Sequence, residues 1–571
     1  MMKLNTLGGK LRSARRPFVP MLVTFFCAVA VSAPFADTTA LKVTSVPLAG
    51  VSGGANNVAF AFDRYALVAP FSPSTFAAFS PLPDGVTPDD LDNHFLSVID
   101  TRKPGANVVT MDLKSSQGTI YYPTKVAFDQ GTSILYLRGT RYDVNADGYE
   151  PIEVLAFVHL NLDDNARPVF RDNLVSFDIP GVASDPVNAG SSSDAPSDFA
   201  VAQNGKYLVF TNGASIFSYD VVQGALADSP LPIVPPEEYG LSTGLVQNSA
   251  ITYLDLESVS GIISACWNRT TTAGDGSKKT TSELYFITLD GSGKLSLFKQ
   301  VMSFAFPDGE YLTHGSNIAI SLDPGTQAPL AAFFATSDGS LNQVNLQGSN
   351  VREVPVSLQV FPSLEFQGAA DALSSPRRVR YDSVHRTIWA VNQGIAIQIR
   401  RPSGHRRHAL PSPELARAQV EDSSIVLAQL SKRGKLAHQA LFKQAFQGEG
   451  GLTNVLPDAQ SNVLVSTYSG KLFAVASGDT ADHSTISQPG DLGLRIDYLN
   501  YLTDRTSIVA LSSFDVDQTS GAMLPGSVVV AKELAATSTQ GLGTALEAFL
   551  PHKNVLKGIV LSIRRPASSR R

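Results

Sequence analysis

The sequence predicts an all-β chain, a β-propeller of seven or eight four-stranded blades with eight favoured, and three observations carry that expectation. The first is a meander at Ser197 to Val222, SDFAVAQNGKYLVFTNGASIFSYDVV. Phe199 to Ala202 and Tyr207 to Thr211 are apolar runs around Asn204-Gly205, and Ser215 to Val222 alternates after Asn212-Gly213. Asn tolerates positive φ and Gly takes it freely, so Asn-Gly suits a two-residue hairpin. The second is recurrence. Similar inner strand pairs fall at Asn57 to Ala69, Thr124 to Gly139, Ser197 to Asn212, Ala250 to Trp267, Asn317 to Thr336, Arg377 to Val391, Thr453 to Thr467 and Asp497 to Ser513. The third is likeness among the outer hairpins: LYFITLDGSGKLSLFKQVMSF from Leu284 has the layout of IVLAQLSKRGKLAHQALFKQAF from Ile425. Radial repetition protects strand edges, which suits many short strands without disulfides. A pair of β-sandwiches explains the strands but not the repeated hairpins. The hairpin from Ile425 has no evident inner pair, which leaves the count open by one.

In chain order, Met1 to Ala36 reads as a secretory signal. Lys3, Lys10, Arg12, Arg15 and Arg16 form its basic start, and Met21 to Val31 an apolar core too short to span a bilayer comfortably. Cleavage fits after Ala30, Ala33 or Ala36. Cys27 raises lipidation, against which Phe25 and Phe26 are bulky. No later run is long and apolar enough for a membrane helix, so the expected address is the periplasm, the cell surface or the medium. Lys42 to Pro47 is placed to close the ring against the last unit. Residues 37–550 form the propeller domain and Pro551 to Arg571 a basic tail.

Composition sets outer limits. Hydrophobic residues make up 43% and charged residues 17% of 571 positions, ample for a packed core. A net charge of -6 gives no basis for broad affinity to nucleic acid or anionic lipid. After signal removal Cys266 is the sole cysteine, in the apolar run SGIISACW, and reads as a buried, inert thiol.

Antiparallel strands alternate direction, so second-to-third and fourth-to-next connections emerge on one face. The long insertions Phe71 to Asn93, Arg141 to Glu153, Asn268 to Ser282 and Phe514 to Gly526 are all second-to-third connections, and function is expected on that face. There, Asp143, Asn145 and Asp147 alternate before Gly148 and Tyr149, a spacing that turns oxygen ligands and the Tyr149 carbonyl onto a hard cation. The stretch resembles EF-hand calcium loops and, lying between strands, those of integrin-type propellers and FG-GAP repeats. That likeness implies a structural Ca2+. It covers the first seven positions only: Pro151 and Val154 stand where the two patterns want acids, with Glu150 and Glu153 near but out of register. A polar hairpin held by Asx-turns is the alternative. Asp84, Asp89, Asp90 and Asp92, and Asp515 with Asp517, read as acidic surface loops. His405, Arg406, Arg407 and His408 read as a basic turn.

Asp198, His314, Arg377 and Asn454 open successive inner strands and are the binding candidates; His314 also sits where a general base is conceivable. Walker, Rossmann, HExxH and GxSxG signatures are missing, and no catalytic residue is assigned. Asn268-Arg-Thr270 is a glycosylation sequon. From roughly Asn57 to Leu550 the repeats resemble exported NHL and YVTN propellers, mostly binding or assembly platforms. The resemblance implies a non-enzymatic binding or scaffolding protein with an unidentified protein or glycan partner. The alternatives are a hydrolase or lyase acting on an extracellular polymer, and an outer-surface adhesin.

Overall fold

The computed structural model describes residues 41–48, 55–70, 87–91, 93–104, 108–145, 148–180, 199–235, 246–257, 259–272, 278–307, 318–336, 340–359, 376–382, 386–392, 424–431, 434–442, 446, 451–457, 463–467, 470–476, 485–492, 498–501, 507–512, 515–516, 523–524 and 527–533. The expected signal peptide, the basic tail and the histidine-arginine turn lie outside these residues. Among them the fold is all-β: eight open sheets of four or five strands, antiparallel but for the short strand Arg352–Glu353, which lies parallel to Leu295–Pro307, and two small ribbons, none closed into a barrel.

The first sheet runs Ala55–Ala61, Tyr65–Pro70, Phe95–Asp100, Val109–Asp112. The second runs Tyr121–Asp129, Ile134–Asn145, Gly148–Leu162, with Pro168–Phe170 and Val175–Asp178 outermost. The third begins Phe199–Ala202, Tyr207–Thr211, Ser215–Asp220. The fourth is Val246–Leu256, Ile262–Thr272, Lys278–Leu289, Leu295–Pro307. The fifth is Ala319–Leu322, Pro329–Ala335, Ser340–Asn345, Val356–Gln359, and the sixth Pro376–Asp382, Thr387–Asn392, Ser424–Leu430, Leu436–Phe442. The seventh is Leu452–Pro457, Val463–Thr467, Lys471–Ala476, Thr485–Asp491. The eighth is Tyr498–Tyr501, Ser507–Ser512, Ser527–Glu533 and, outermost, Leu41–Pro47.

The first two strands of every sheet overlap the pairs read from the sequence, several running past them, as Tyr121–Asp129 and Ile134–Asn145 run past Thr124 to Gly139. The hairpin from Ile425 is the outer half of the sixth sheet, paired through Val391 and Ile425; the long intervening segment separated it from its inner pair. Leu41–Pro47 lies antiparallel to Ser527–Glu533, with Leu41 opposite Glu533 and Pro47 opposite Ser527.

Strand alternation gives the second to sixth sheets two apolar faces each, and each face buries against a different neighbour. Leu135, Leu137 and Val154 pack toward the first sheet, while Ile134, Tyr136, Leu155 and Phe157 pack with Phe199, Leu208 and Phe210 of the third. Shared cores likewise join the third to the fourth, fourth to fifth, fifth to sixth and sixth to seventh sheets. Inner strands of the seventh and eighth sheets touch, and Ala55–Ala61 touches Ser507–Ser512, so the succession returns to its start. Two stacked sandwiches would leave one face of each sheet outside a core, contrary to these contacts.

Hydrogen bonds tie neighbours together. The Tyr65 hydroxyl donates to the Ala166 carbonyl, Tyr136 to Gly205 at 2.8 Å and Tyr207 to Gly291 at 3.0 Å. Each tyrosine opens or lies within a second strand and reaches a turn of the following sheet.

Two readings change. The Asn204-Gly205 turn spans residues 203–206, with Gln203, Asn204 and Gly205 all at positive φ, since Ala202 pairs with Tyr207. The supposed insertions Arg141 to Glu153 and Asn268 to Ser282 are mostly ladder: Arg141 pairs with Ile152 and Asn145 with Gly148, while Asn268 pairs with Ser282 and Thr272 with Lys278. Tyr142, Val144, Tyr149 and Ile152 on the first ribbon and the threonines of the second favour extended pairing beyond the core.

The second sheet's inner strand bulges between Tyr121 and Lys125, leaving Tyr122 at φ 48. The bulge presses on Gly139, where a Cβ would lie 2.6 Å from Ile120 Cγ2 and 2.8 Å from the Tyr121 carbonyl oxygen. One of those atoms is backbone and cannot rotate away. Gly139→Ala is expected to cost about 1–3 kcal/mol, as overpacking does, whereas Gly291→Ala, with nothing within 4 Å of its Cβ, should shift stability by less than about 0.5 kcal/mol. Urea unfolding of the two variants checks the contrast.

Candidate functional site

The two edges of the assembly differ. One carries tight turns whose carboxylates are committed locally: Asp290 accepts from the backbone of Ser292 and Lys294 at 2.8 and 3.0 Å, and Asp323 from Gly325 and Thr326 at 3.0 and 2.9 Å. Hydroxyl and backbone hydrogen bonds hold both carboxyls below the ordinary range. The other edge carries the ribbons and longer connections. Inner strands of the first, second, fourth, sixth and seventh sheets bulge toward it, at Ala55/Asn57, Tyr121/Lys125, Val246/Asn248, Pro376/Arg378 and Leu452/Asn454. Bulges re-aim side chains and are over-represented next to functional sites.

The densest constellation at this edge stands on the second sheet, on its face toward the third. From the tight-turn edge upward, the second strand presents Ile134, Tyr136, Arg138, Thr140 and Tyr142. Opposite them on the third strand stand His159, Phe157, Leu155, Glu153 and Pro151; Lys125 faces Arg138 and Tyr121 faces Thr140. Alternation therefore stacks three layers: an apolar floor, a polar layer of Lys125, Arg138, Thr140 and Glu153, and tyrosines above. Arg138 and Thr140 are 1% and 0% exposed. Arg138 Nε donates to Glu153 Oε1 at 2.6 Å, and Nη2 completes the ion pair. Lys125 Nζ donates to the Phe199 carbonyl at 2.7 Å and lies 5.0 Å from that ring's centroid, tying the layer to the third sheet.

The upper layer is aromatic. Tyr121 and Tyr142 stack edge-on at 5.7 Å, His94 meets Tyr121 at 5.8 Å, and Tyr122, Tyr149 and Leu91 complete the cluster. Burial, reinforced by Tyr122 and Tyr121, pushes the Tyr142 phenol above its ordinary pKa. His94 is held locally: Nδ1 sits 3.1 Å from the Leu91 carbonyl and Nε2 3.8 Å from Asp112.

The residues proposed for the cation site distribute differently. Asp143 is held by Arg141, Nε to Oδ1 at 2.9 Å and Nη2 to Oδ2 at 3.3 Å, and Arg141 Nη1 also pairs with Asp178 at 2.9 Å. Glu153 belongs to Arg138. Tyr149 lies in the ladder opposite Val144, and Asn145 in the ladder opposite Gly148. Asp147 falls outside the described residues. Among those described, no group of three or more His, Cys, Asp or Glu is placed to hold a metal.

Of the binding candidates, Asp198 and His314 lie outside the described residues. Arg377 occupies the bulge of the sixth sheet's inner strand. Asn454, just past the seventh sheet's bulge, is 3% exposed and donates to Thr453 Oγ1 at 3.3 Å. Its equivalent in the first sheet, Asn57, accepts from the Val126 amide of the next inner strand at 3.2 Å. That contact gives this position a part in joining sheets. Cys266 is buried and burial pushes its thiol up to about 12, so it stays protonated at neutral pH. Asn268 of the sequon is 3% exposed and accepts from Ser282, which makes it a core amide rather than a glycan acceptor in the folded chain.

Lys125, Arg138 and Thr140 were not singled out by sequence. Their signal was an arginine in ILYLRGT at a core-facing position of an otherwise apolar alternation.

No family profile matches the chain, and no curated relative does. Among solved structures it is similar to the Dos1 propeller, at 10% identity and TM-score 0.43 over 86% of this chain and 94% of that one. It is similar to the RRP9 WD40 repeats at 11% identity, TM-score 0.34 and 86% and 97% coverage. For Saccharomyces cerevisiae Sqt1 the values are 10%, 0.32, 72% and 95%. The likeness is distant and is to propeller-type folds in general.

Breaking a buried pair strands a charge, whereas replacing both partners by apolar groups removes the desolvation problem. Glu153→Leu is therefore expected to cost about 3–5 kcal/mol, and Arg138→Met with Glu153→Leu to recover most of it. Urea unfolding of the singles and the double measures the coupling.

Proposed function

We propose that the chain is a non-enzymatic, extracytoplasmic binding or scaffolding protein whose eight sheets are the four-stranded blades of a propeller, and that it binds through the edge bearing the ribbons. An all-β architecture of repeated sheets is compatible with such a role. The observation that supports this reading best is the contrast between the edges: carboxylates tied into their own tight turns on one, and on the other a layer of buried charge beneath clustered tyrosines. Rigid sheets beneath variable connections are the usual arrangement for recognition. The basic, apolar start of the chain supports export to the periplasm or cell surface, and the partner is a protein or a glycan.

Calcium at the ribbon tip belongs to the same proposal, with Asp143, Asn145, Asp147 and the Tyr149 carbonyl as ligands. Binding there requires Asp143 to exchange Arg141 for the ion, while Glu153 stays with Arg138. The ion would order the tip.

The test incubates chain lacking residues 1–36 with a panel of insoluble extracellular polysaccharides, with calcium or with chelator, and measures both retention and new chain ends. Expected are retention without chain ends, loss of retention when residues 143–150 are replaced by an Asn-Gly turn, and a calcium-dependent rise in unfolding midpoint that Asp143→Ala abolishes. New chain ends would establish a hydrolase or lyase instead. Retention unaffected by the shortened ribbon would remove the face assignment.

A further inference from the structure

We infer that the polar layer between the second and third sheets is a binding site for a single carboxylate group. The inference stands whether or not the ribbon edge binds a polymer. Arg138 Nη1 and Thr140 Oγ1 are both buried and have no hydrogen-bond partner, although their residues are 1% and 0% exposed. Nearly all buried polar groups in folded proteins are paired, so two orphans side by side call for an acceptor. They are adjacent on one face of one strand, two residues apart and therefore separated by roughly 7 Å along it. Lys125 stands across from Arg138 and Tyr121 across from Thr140.

The missing partner is defined by what surrounds it. A guanidinium offers only donors and a threonine hydroxyl can donate, so the ligand must accept from both. A carboxylate presents two acceptor oxygens, one for each donor, and charge-assisted bonds of this kind are the strong ones. The described charges of the layer are Lys125 and Arg138 against Glu153, whose carboxylate is already bonded to Arg138. That balance leaves one net positive charge, which a monovalent anion neutralises, whereas a dianion such as sulfate would leave the layer net negative. The apolar floor of Tyr136, Leu155 and Phe157 closes the site below. Approach is from the ribbon edge, past Tyr149, the tyrosine of the cluster that is only partly buried.

Thermal unfolding of the chain lacking residues 1–36 is measured in acetate, D-glucuronate, sulfate and chloride at matched ionic strength, for wild type and Thr140→Val. Valine keeps threonine's shape and removes the donor, so the variant should fold. Acetate is expected to raise the midpoint saturably, and Thr140→Val to weaken that binding by about tenfold, the loss of one hydrogen bond to a charged group. Glucuronate at least as effective as acetate would assign the site to a carboxylate carried on a sugar; glucuronate without effect would assign it to small free acids. An equal, unsaturable response to all four salts, or identical acetate responses of wild type and Thr140→Val, would overturn the proposal and leave water as the partner of both donors.

Discussion

A strand with no neighbour on one side exposes a row of unsatisfied backbone donors and acceptors, and a sheet apolar on both faces needs a partner on each. A stack of such sheets would show water a bare apolar face at each end. The chain meets the constraint by bringing its first and last described sheets together. Ala55–Ala61 touches Ser507–Ser512, and the earliest described strand supplies the outer strand of the last sheet, in continuous register from Leu41/Glu533 to Pro47/Ser527. Among the described strands the other sheets pair residues much nearer in sequence, the widest span being Gln300 with Arg352 in the fourth, so only here does a sheet depend on residues nearly the whole length apart.

Closure fixes the sheets and leaves their two edges free to differ. On the tight-turn edge, aspartates satisfy their own turns and tyrosines bind carbonyls of the next sheet, as Tyr136 does at Gly205. The other edge departs from regular pairing. Five inner strands bulge there, Tyr122 holds a positive φ, and Gly139 has no Cβ because the bulge occupies its place. The same sheet sets Arg138 and Thr140 in the interior. Irregular backbone and buried polarity together, on a scaffold otherwise locally consistent, mark where a sequence departs from optimal folding.

Most of the architecture was legible because strand period and turn chemistry are local. Phe199 to Ala202 and Tyr207 to Thr211 announce themselves as short apolar runs around Asn204-Gly205, and Lys42 to Pro47 was placed to close the ring against the last unit. What was not legible depended on pairing. Asp143, Asn145 and Asp147 spell a cation loop when read in line, yet the ladder opposite Gly148 to Ile152 draws the segment out as a ribbon and gives Asp143 to Arg141 and Glu153 to Arg138. The polar layer was hidden for a related reason. Lys125, Arg138 and Glu153 lie on three strands, and only register sets them side by side. Asn454 was visible as polar, but its burial, at 3% exposure, was not.

The most direct test of ring closure is a disulfide across the closing ladder. Thr44→Cys with Val530→Cys, and separately Val43→Cys with Ala531→Cys, place cysteines at opposed positions, and the buried Cys266 thiol will not compete. The account predicts that at least one pair oxidises within a single chain and raises the unfolding midpoint of the whole domain in one transition, since it closes a very long loop. Failure of both pairs to form, or a disulfide that leaves the midpoint unchanged, would contradict a ring held shut by its first strand.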